Sequence, residues 1–182
     1  MKILDLGCGI KKYKSENPED VVISIDIVKT KGVDALYDLR KGISFQDNSF
    51  EKIIAHNILE HMTHGEFEFL MEEMNRVCKP DGIVDIEVPF FASDKAFATI
   101  DHKLFFAYNT FWRYGPEDWG HYTKKVGFKI IEQKIIWKTH PRLKLLNWVV
   151  SKIINSAPML YQTFFCWIAP ADLLQVKLRV VK

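Results

Sequence analysis

Cysteine is scarce in this sequence: there are three among 182 residues, at positions 8, 78 and 166, and their spacing is not that of a metal site. An odd number does not favour a disulfide framework, so the cysteines are predicted to be reduced thiols. The N-terminus lacks the apolar stretch that forms a secretory signal peptide. These absences predict a cytoplasmic protein with neither structural disulfides nor a bound metal.

Linkers rich in glycine or proline, internal repeats and low-complexity segments are also absent. A chain of 182 residues with ordinary apolar and charged content is long enough to bury one core. The sequence therefore predicts a single domain over residues 1–182. Within it, residues 140–172 are predicted to form a helical insertion, or cap, before the last strand.

Acidic residues are scarce in the C-terminal third. Residues 121–182 contain 11 Lys and Arg but only 2 Asp and Glu, whereas residues 1–120 contain 14 and 21. Such a region suits an anionic partner, namely a phosphorylated substrate, a membrane surface or nucleic acid, or else it is a solvated surface. No RNA-binding motif accompanies it, which disfavours nucleic acid without excluding it.

The start of the chain, KILDLGCG over residues 2–9, indicates a site for a nucleotide-type cofactor. An apolar strand carrying the acid Asp5 runs into a Gly-Cys-Gly turn, and glycine there allows a positive φ and close approach of a ligand. A second short strand ends in Asp26, as in sheets that hold an adenosine group at their carboxyl edge. The third glycine of the nicotinamide fingerprint is replaced by Lys12, so a pyrophosphate site is disfavoured.

Four segments follow one another in a recognisable order: ILDLGCG (3–9), ISIDI (23–27), DLRKGISFQDNSFEKIIAHNILEHM (38–62) and VCKPDGIVDIEVP (77–89). They resemble the successive motifs of class I S-adenosylmethionine-dependent methyltransferases, most of all the type 11 subgroup. The resemblance implies a doubly wound, Rossmann-like α/β sandwich with a seven-stranded, mostly parallel sheet and an antiparallel last strand. It also implies S-adenosyl-L-methionine as the cofactor and an acceptor for its methyl group.

The resemblance assigns cofactor contacts to residues of these motifs. Asp26 would accept the ribose hydroxyls, Asp38 and Leu39 would contact the adenine, and His56 with Asn57 would line the methionine arm. The predicted cofactor-binding set is Asp5, Gly7, Cys8, Gly9, Lys12, Asp26, Ile27, Asp38, Leu39, His56 and Asn57.

The segment between the first two strands departs from the family pattern. Only eleven residues separate Gly9 from Val21, and Pro18 is among them, which leaves too little chain for a full crossover helix. The first helix is therefore predicted to be short or absent. Lys11 and Lys12 would then supply the positive charge near the cofactor carboxylate, unless they are solvated loop lysines.

Candidate catalytic residues lie in two polar segments. Asp101 and His102 precede a Phe-Phe pair, and a similar segment forms part of the acceptor pocket in the subgroup that the chain resembles. A histidine beside a carboxylate suits removal of a proton from an acceptor hydroxyl or amine, but it would equally pin the loop. Glu60 and His61 are further candidates for polar groups near the reacting centre; the alternative, which the sequence favours, is that Glu60 caps a turn and His61 is a structural histidine. The predicted catalytic set is His102, Asp101 and His61.

Periodicity predicts the remaining elements. Thr63 to Cys78 is predicted to be a helix, because Thr63 and Glu66 form a capping box ahead of an apolar stripe. Strands are predicted over 34–39, 52–55, 83–88, 128–137 and 174–181, a turn over 79–82 and a helix over 116–126. The insertion shows an apolar helical face that would cap the acceptor pocket, pair with a second subunit or lie on a membrane surface.

The sequence thus predicts a methyltransferase whose acceptor is unidentified and includes anionic small molecules and glycan-linked or lipid-linked groups. The alternative is a catalytically silent module that binds the cofactor and docks a partner through the basic, apolar C-terminal region. A nicotinamide oxidoreductase is a third reading, which the missing glycine disfavours. Fold alone does not choose among these classes.

Overall fold

The computed structural model describes residues 1–114, 127–137 and 142–182. These residues form one seven-stranded sheet in the order β3-β2-β1-β4-β5-β7-β6. The strands are β1 (Lys2–Leu6), β2 (Val21–Asp26), β3 (Ala35–Leu36), β4 (Phe50–His56), β5 (Cys78–Pro89), β6 (Phe128–Ile136) and β7 (Leu173–Val180). β7 runs antiparallel to both of its neighbours, while β1 to β5 pair in parallel. The predicted seven strands with an antiparallel last strand are confirmed.

One face of the sheet is covered by helix α1 (His64–Val77). The capping box is present as predicted, since Thr63 accepts from the Glu66 amide and the Glu66 side chain accepts from Thr63 N–H. The apolar stripe of α1 is fully buried against strand residues such as Leu4, Val84 and Val176. α1 is therefore the helix that anchors the core, in agreement with the predicted element.

The opposite face carries a polar row that crosses the sheet. Residues paired in register lie on the same face of a sheet. Following the register from strand to strand gives the row Ser24, Asp5, Ile54, Asp85, Lys177 and Glu132. The first three are buried and the last three are half-buried. The residues of this face are therefore buried near β2 and become charged and partly exposed toward β6.

The loop between β1 and β2 takes the place of a crossover helix. Residues 10–20 contain only turns and bends, as the short spacing predicts. Tyr13 of this loop lies over the polar face, where its amide donates to Asp5 Oδ2 at 2.8 Å and its hydroxyl accepts from Lys52 Nζ at 3.1 Å. A loop thus covers the end of the face on which the family pattern expects a helix.

Two predicted boundaries are wrong. The third strand spans only two residues instead of 34–39, because Asp38 caps a 3-10 turn over Leu39–Lys41. The predicted turn over 79–82 is part of β5, where Asp81 has a φ of +60° and the register against β4 shifts between Phe50 and Lys52. Residues 79–82 therefore form a β-bulge within the strand, and the strand continues past them.

The C-terminal insertion forms helix α3 (Lys144–Ser156), a short helix α4 (Pro158–Leu160) and a π-helical turn over Tyr161–Phe165. A further short helix, α2 (Asp94–Phe97), follows β5. The helix predicted over 116–126 lies outside the described residues, as do residues 140 and 141 of the insertion. In the described ranges, none of the helices has the length and apolarity needed to span a bilayer.

α3 lies along the edge strand β6 and binds it with polar side chains. Asn155 accepts from the Ile135 amide at 2.9 Å and donates to the Ile135 carbonyl at 2.7 Å. Ser151 makes the equivalent pair of contacts with the Trp137 backbone at 3.2 and 3.3 Å. The other side of α3 is apolar and exposed, with Leu145 75% and Ile153 65% accessible. The polar side of this helix therefore faces the protein and its apolar side faces outward.

Candidate active site

A cavity of about 280 Å³ opens at the carboxyl edge of the parallel strands. Such an edge is where doubly wound sheets bind ligands. The residues that line the cavity come from the turns after β1, β2, β3 and β4 and from the loop after β5. They are Gly7, Asp26, Ile27, Tyr37, Asp38, Leu39, Arg40, Ile58, His61, Met62, Asp101 and Lys103.

Gly7 of the glycine turn lines this cavity, whereas the predicted cofactor residue Gly9 lies outside the lining. Gly7 and Gly9 both have left-handed backbone, with φ of +63° and +55°. A Cβ on Gly7 would lie 2.7 Å from Ile58 Cδ1, whereas one on Gly9 would meet nothing within 4 Å. Glycine is therefore needed at position 7 for two reasons, the left-handed backbone and the close approach of Ile58. At Gly9 the space beside the main chain is open.

Asp26 stands at the end of β2 and holds the glycine turn. Its Oδ2 accepts from the Gly9 amide at 2.8 Å and its Oδ1 accepts from the Val28 amide at 2.8 Å. Its neighbour Ile27 also lines the cavity and is 57% exposed. Asp26 therefore combines a structural contact with a half-buried carboxylate at the cavity wall.

Asp38 and Leu39 lie next along the same wall. Arg40 donates to both Asp38 oxygens, at 2.8 and 2.9 Å, and this contact lowers the pKa of Asp38 below its ordinary value. The Leu39 side chain is buried in the core. The Asp38 carboxylate is therefore ionised and already paired with a guanidinium at the cavity.

Three of the predicted cofactor residues have structural contacts and do not line the cavity. Asp5 is 4% exposed and accepts from the Tyr13 amide and the Ser24 hydroxyl; burial raises its pKa despite these bonds. Lys12 forms an ion pair with Asp34. Cys8 is half-buried, and burial raises the pKa of its thiol.

His56 and Asn57 also lie apart from the lining of this cavity. His56 belongs to the same face as Asp85, and its Nε2 lies 3.5 Å from Asp85 Oδ1 beside a second cavity of about 260 Å³. Burial alone would raise the pKa of Asp85, but His56 and Lys52 outweigh it and the pKa is lowered. Asn57 is exposed, has a φ of +52° and donates its amide to the Glu87 carbonyl. The alternation of β4 sends His56 away from the cavity wall, since Ile53 and Ala55 face α1.

The predicted catalytic residues come together at the other side of the first cavity. His61 Nδ1 lies 3.0 Å from Asp101 Oδ2. The His61 and His102 rings are in edge contact with centroids 4.8 Å apart. His102 Nδ1 lies 3.1 Å from the Ala96 carbonyl, and because a carbonyl only accepts, this nitrogen carries the proton. Two histidines and a carboxylate thus form one cluster, of which His61 and Asp101 line the cavity while His102 packs behind them against His61.

Glu60 belongs to this cluster, although the sequence favoured a turn-capping role for it. The side chain is 2% exposed, and burial raises its pKa to about 7. The Glu60 carbonyl accepts from the Lys103 and Leu104 amides at 2.7 and 3.1 Å, which ties the turn after β4 to the loop carrying His102. That contact joins residues over forty positions apart, so no local pattern predicts it.

Comparison with known proteins agrees with this geometry. Residues 4–86 match the sequence model of a methyltransferase domain, a span that contains most of the cavity lining. A search of curated proteins finds no match.

Solved structures extend the likeness to the whole chain. An S-adenosylmethionine-dependent methyltransferase from Mesorhizobium loti has 13% identity and a TM-score of 0.57, over 98% of this chain and 90% of that one. One from Archaeoglobus fulgidus has 14% identity and a TM-score of 0.55, over 98% and 85%. Phosphoethanolamine N-methyltransferase 2 from Haemonchus contortus, in complex with S-adenosyl-L-methionine, has 15% identity and a TM-score of 0.58, over 99% of this chain but only 48% of that one.

The structural likeness establishes the fold, and the sequence match shows that residues 4–86 are similar to a methyltransferase domain. The chain is therefore similar to the type 11 methyltransferases over residues 4–86, and its fold is the Rossmann-like fold of class I S-adenosylmethionine-dependent methyltransferases.

Proposed function

We propose that this protein transfers a methyl group from S-adenosyl-L-methionine to an acceptor bound beside the histidine cluster. One observation carries the proposal: Asp26 and Asp38 line the same cavity as His61 and Asp101. Carboxylates that could bind a nucleoside and side chains that could transfer a proton therefore line the same cavity. The methyltransferase domain matched over residues 4–86 supports the same reaction.

The residues at the cavity fit this cofactor. Each Asp26 oxygen accepts one backbone amide, and a carboxylate offers about four lone-pair sites, so two remain for ribose hydroxyls. Gly7 lines the cavity, and the open space beyond it at Gly9 would allow a ligand to extend along the main chain of the turn. Asp26 and the glycine turn would hold the cofactor together, because each positions the other.

When bound, S-adenosylmethionine supplies a methyl group that its sulfonium makes electrophilic. The task of the chain is then to align the acceptor, and alignment of this kind provides about 7–11 kcal/mol of a barrier. We assign proton removal to His102, whose Nε2 is left with a lone pair because Nδ1 donates to the Ala96 carbonyl. A general base contributes roughly 10²- to 10⁴-fold. Asp101, next to His61, would orient the neighbouring imidazole.

Lys103 offers a cationic contact to an acceptor that carries an anionic group, within a lining that also contains the carboxylates Asp26, Asp38 and Asp101. Lys103 and Arg40 both line the space, and the Asp38 carboxylate engages Arg40. Lys103 is exposed on the same loop as His102. A phosphate or carboxylate on the acceptor, whether a small molecule or a glycan-linked or lipid-linked group, would pair with this side chain.

Thermal unfolding with added ligands tests the cofactor assignment. S-adenosylmethionine and its demethylated product should each stabilise the protein by about 2.7 kcal/mol at 100 times their dissociation constants, and NAD should not. Asp26→Asn should weaken binding at least tenfold, roughly the loss of one hydrogen bond to a charged group. Asp81→Asn is the matched control, since Asp81 is exposed at the opposite end of the sheet. Equal affinity in the two variants contradicts the ribose assignment.

The catalytically silent alternative is favoured by one feature, the exposed apolar side of α3. A protein that binds S-adenosylmethionine but methylates none of the anionic acceptors offered to it would support that alternative. The alternative would be excluded if the protein methylated any of these acceptors and if this activity were lost in His102→Ala and kept in His64→Ala. His64 is exposed at the start of α1 and serves as the control histidine.

We further propose that the protein is cytoplasmic and binds an anionic membrane surface, and the exposed apolar side of α3 supports the membrane contact. Leu145, Trp148 and Ile153 are 75%, 60% and 65% exposed at helical spacing. Phe164, Trp167 and Ile168 continue the surface, each at least 66% exposed. Lys152 lies over the Trp148 ring, 5.6 Å from its centroid. An apolar helix face flanked by lysines suits the boundary between acyl chains and anionic headgroups.

Vesicle binding tests this assignment. The protein should sediment with phosphatidylcholine vesicles that contain phosphatidylglycerol, and less with phosphatidylcholine alone. The double variant Trp148→Ser, Ile153→Ser should lose most of the binding. Ile10→Ser, which removes a 79% exposed side chain from the β1–β2 loop, should keep it. If the protein instead forms a soluble dimer and does not bind vesicles, the apolar surface contacts a second copy of the chain.

A further inference from the structure

Three side chains able to bind a metal ion converge beside the cavity. Glu60, His61 and His102 each offer one ligand atom, and these atoms lie within 4.8 Å of one another. Glu60 and His61 come from the 3-10 turn after β4, and His102 comes from the loop after β5. The cluster combines two imidazoles with one carboxylate.

Glu60 supplies an independent reason to expect a ligand. Its side chain is 2% exposed, and its Oε2 has no hydrogen-bond partner among the residues that the structure describes. A buried polar atom without a partner is costly, and native proteins rarely leave one uncompensated. His61 Nδ1 likewise has no hydrogen bond to the described residues, although it lies 3.0 Å from Asp101 Oδ2. A cation at this point would compensate both atoms.

The surroundings hold the three side chains in place for such an ion. The Glu60 carbonyl accepts two amides of the loop that carries His102, so the two segments form one unit. His102 donates Nδ1–H to the Ala96 carbonyl and leaves Nε2 for coordination. A backbone carbonyl on the second ring nitrogen is the usual support of a metal-bound histidine.

We propose that Glu60, His61 and His102 bind a divalent first-row transition metal ion, with open coordination positions toward the cavity. Two imidazoles and a carboxylate on one face of an ion suit iron, manganese, cobalt or zinc better than magnesium or calcium, which prefer oxygen ligands. Ligand bonds of about 2.1 Å bring neighbouring donors to about 3 Å, so the side chains close by up to roughly 2 Å on binding.

The ion would act on the acceptor, a role that rests on the methyl transfer proposed above. Its open positions face the cavity that His61 and Lys103 line. An acceptor oxygen bound there would be held next to the cofactor, and the ion would lower the pKa of that oxygen so that its proton passes to solvent water at the open cavity. The ion uses the Nε2 lone pair of His102, so in the metal-loaded protein His102 is a ligand and not the base.

Titration of the metal-free protein tests the site without cofactor or acceptor, so its outcome is separate from that of methyl transfer. The full chain is freed of metal with a chelator and titrated with Mn²⁺, Co²⁺ or Mg²⁺ alone, followed by calorimetry and, for Co²⁺, by visible absorption. One equivalent of Mn²⁺ or Co²⁺ should bind. Glu60→Gln and His102→Ala should each weaken binding at least tenfold, since even outer partners of a metal site contribute 10- to 100-fold. His64→Ala should bind as the unmodified protein does.

A second measurement covers the case in which the variants fail to fold. Substoichiometric Mn²⁺ added to the unmodified protein should broaden the ring resonances of His61 and His102 in NMR spectra before those of His64. Broadening of all histidines alike, no binding of Mn²⁺ or Co²⁺, or a response to Mg²⁺ alone would overturn the proposal.

Discussion

Gly7 and Gly9 share a left-handed backbone but have different neighbours, which makes them a matched pair. We expect Gly9→Ala to cost about 1–2 kcal/mol, the penalty of the left-handed conformation for a residue with a Cβ. Gly7→Ala should cost a further 1–3 kcal/mol or so, because its Cβ would press on Ile58 at 2.7 Å. Urea unfolding of both variants measures the difference, and equal losses would contradict the close packing at Gly7.

Glu73 makes stability depend on pH. Arg76 donates to both of its oxygens, at 2.6 and 2.8 Å, and the Ile43 amide donates at 2.7 Å. These contacts hold the pKa of Glu73 below its ordinary value, with Arg76 as the main cause. A carboxyl whose pKa is lower in the folded state stabilises the protein above the unfolded pKa, about 4.3, and loses this effect as the pH falls through the folded pKa.

Glu73→Gln should therefore cost about 1–2 kcal/mol at pH 7, a figure reduced for the solvent exposure of Arg76. The difference from the unmodified protein should shrink as the pH is lowered below about 4. Urea unfolding at several pH values measures it. Glu16→Gln, at an exposed position in the β1–β2 loop, is the control and should show no such dependence.

At the level of single residues, the sequence predicts where polar groups gather but not where each side chain points. Asp26 and Asp38 lie at the predicted cavity because strand ends of a parallel sheet meet at one edge. His56 does not, because its direction follows from which face of β4 packs on α1. The burial of Glu60 in the cluster was not predicted, because it depends on a contact with the distant loop that carries His102.

The element α3 is attached to the sheet by hydrogen bonds more than by apolar packing. Asn155→Ala should leave the Ile135 amide and carbonyl without their partners, which we expect to cost about 1–3 kcal/mol. The Ile135 amide should also exchange faster with deuterium. Ser156→Ala is the control, because Ser156 is exposed and bonds only within its own helix at Ile153. Unchanged exchange at Ile135 would show that α3 does not depend on this contact.

Periodicity is sufficient to find α3 but not to orient it. The usual rule turns the apolar stripe of a helix toward the core, and here only Ile154 of α3 is buried. The polar stripe faces inward because β6 is an edge strand whose free amides and carbonyls need partners. Helix α1, by contrast, lies on an apolar sheet face and follows the rule, so its predicted core residues and its cap were both correct.

For the molecule as a whole, one core runs from the first strand to the last. Leu4 of β1, Phe67 of α1 and Leu178 of β7 belong to the same buried cluster, and so do Ile154 and Tyr161 of the insertion. We therefore expect a single cooperative unfolding transition. Circular dichroism and tryptophan fluorescence should give the same midpoint, with Trp148 and Trp167 reporting on the insertion. An earlier fluorescence transition would mean that the insertion unfolds by itself.

Fold class was predictable at this scale because the four ordered motifs resemble those of a methyltransferase family, and that resemblance implies the sheet topology. The polar face was less predictable, because it depends on the alignment of Asp5, Asp85 and Lys177 on strands that are far apart in the chain. In the sequence alone, Asp85 and Lys177 resemble surface charges and Asp5 is interpreted as a cofactor contact. Only the register brings them into one row.

The way α3 meets β6 has a consequence for self-association. Exposed strand edges are templates on which further strands assemble into aggregates. One edge of this sheet, β3, is only two residues long, and at the other edge Asn155 already occupies the outward N–H and C=O of Ile135. Strand addition is thus restricted at both edges, because β3 offers only two residues and a strand pairing with the end of β6 would have to displace Asn155 from Ile135.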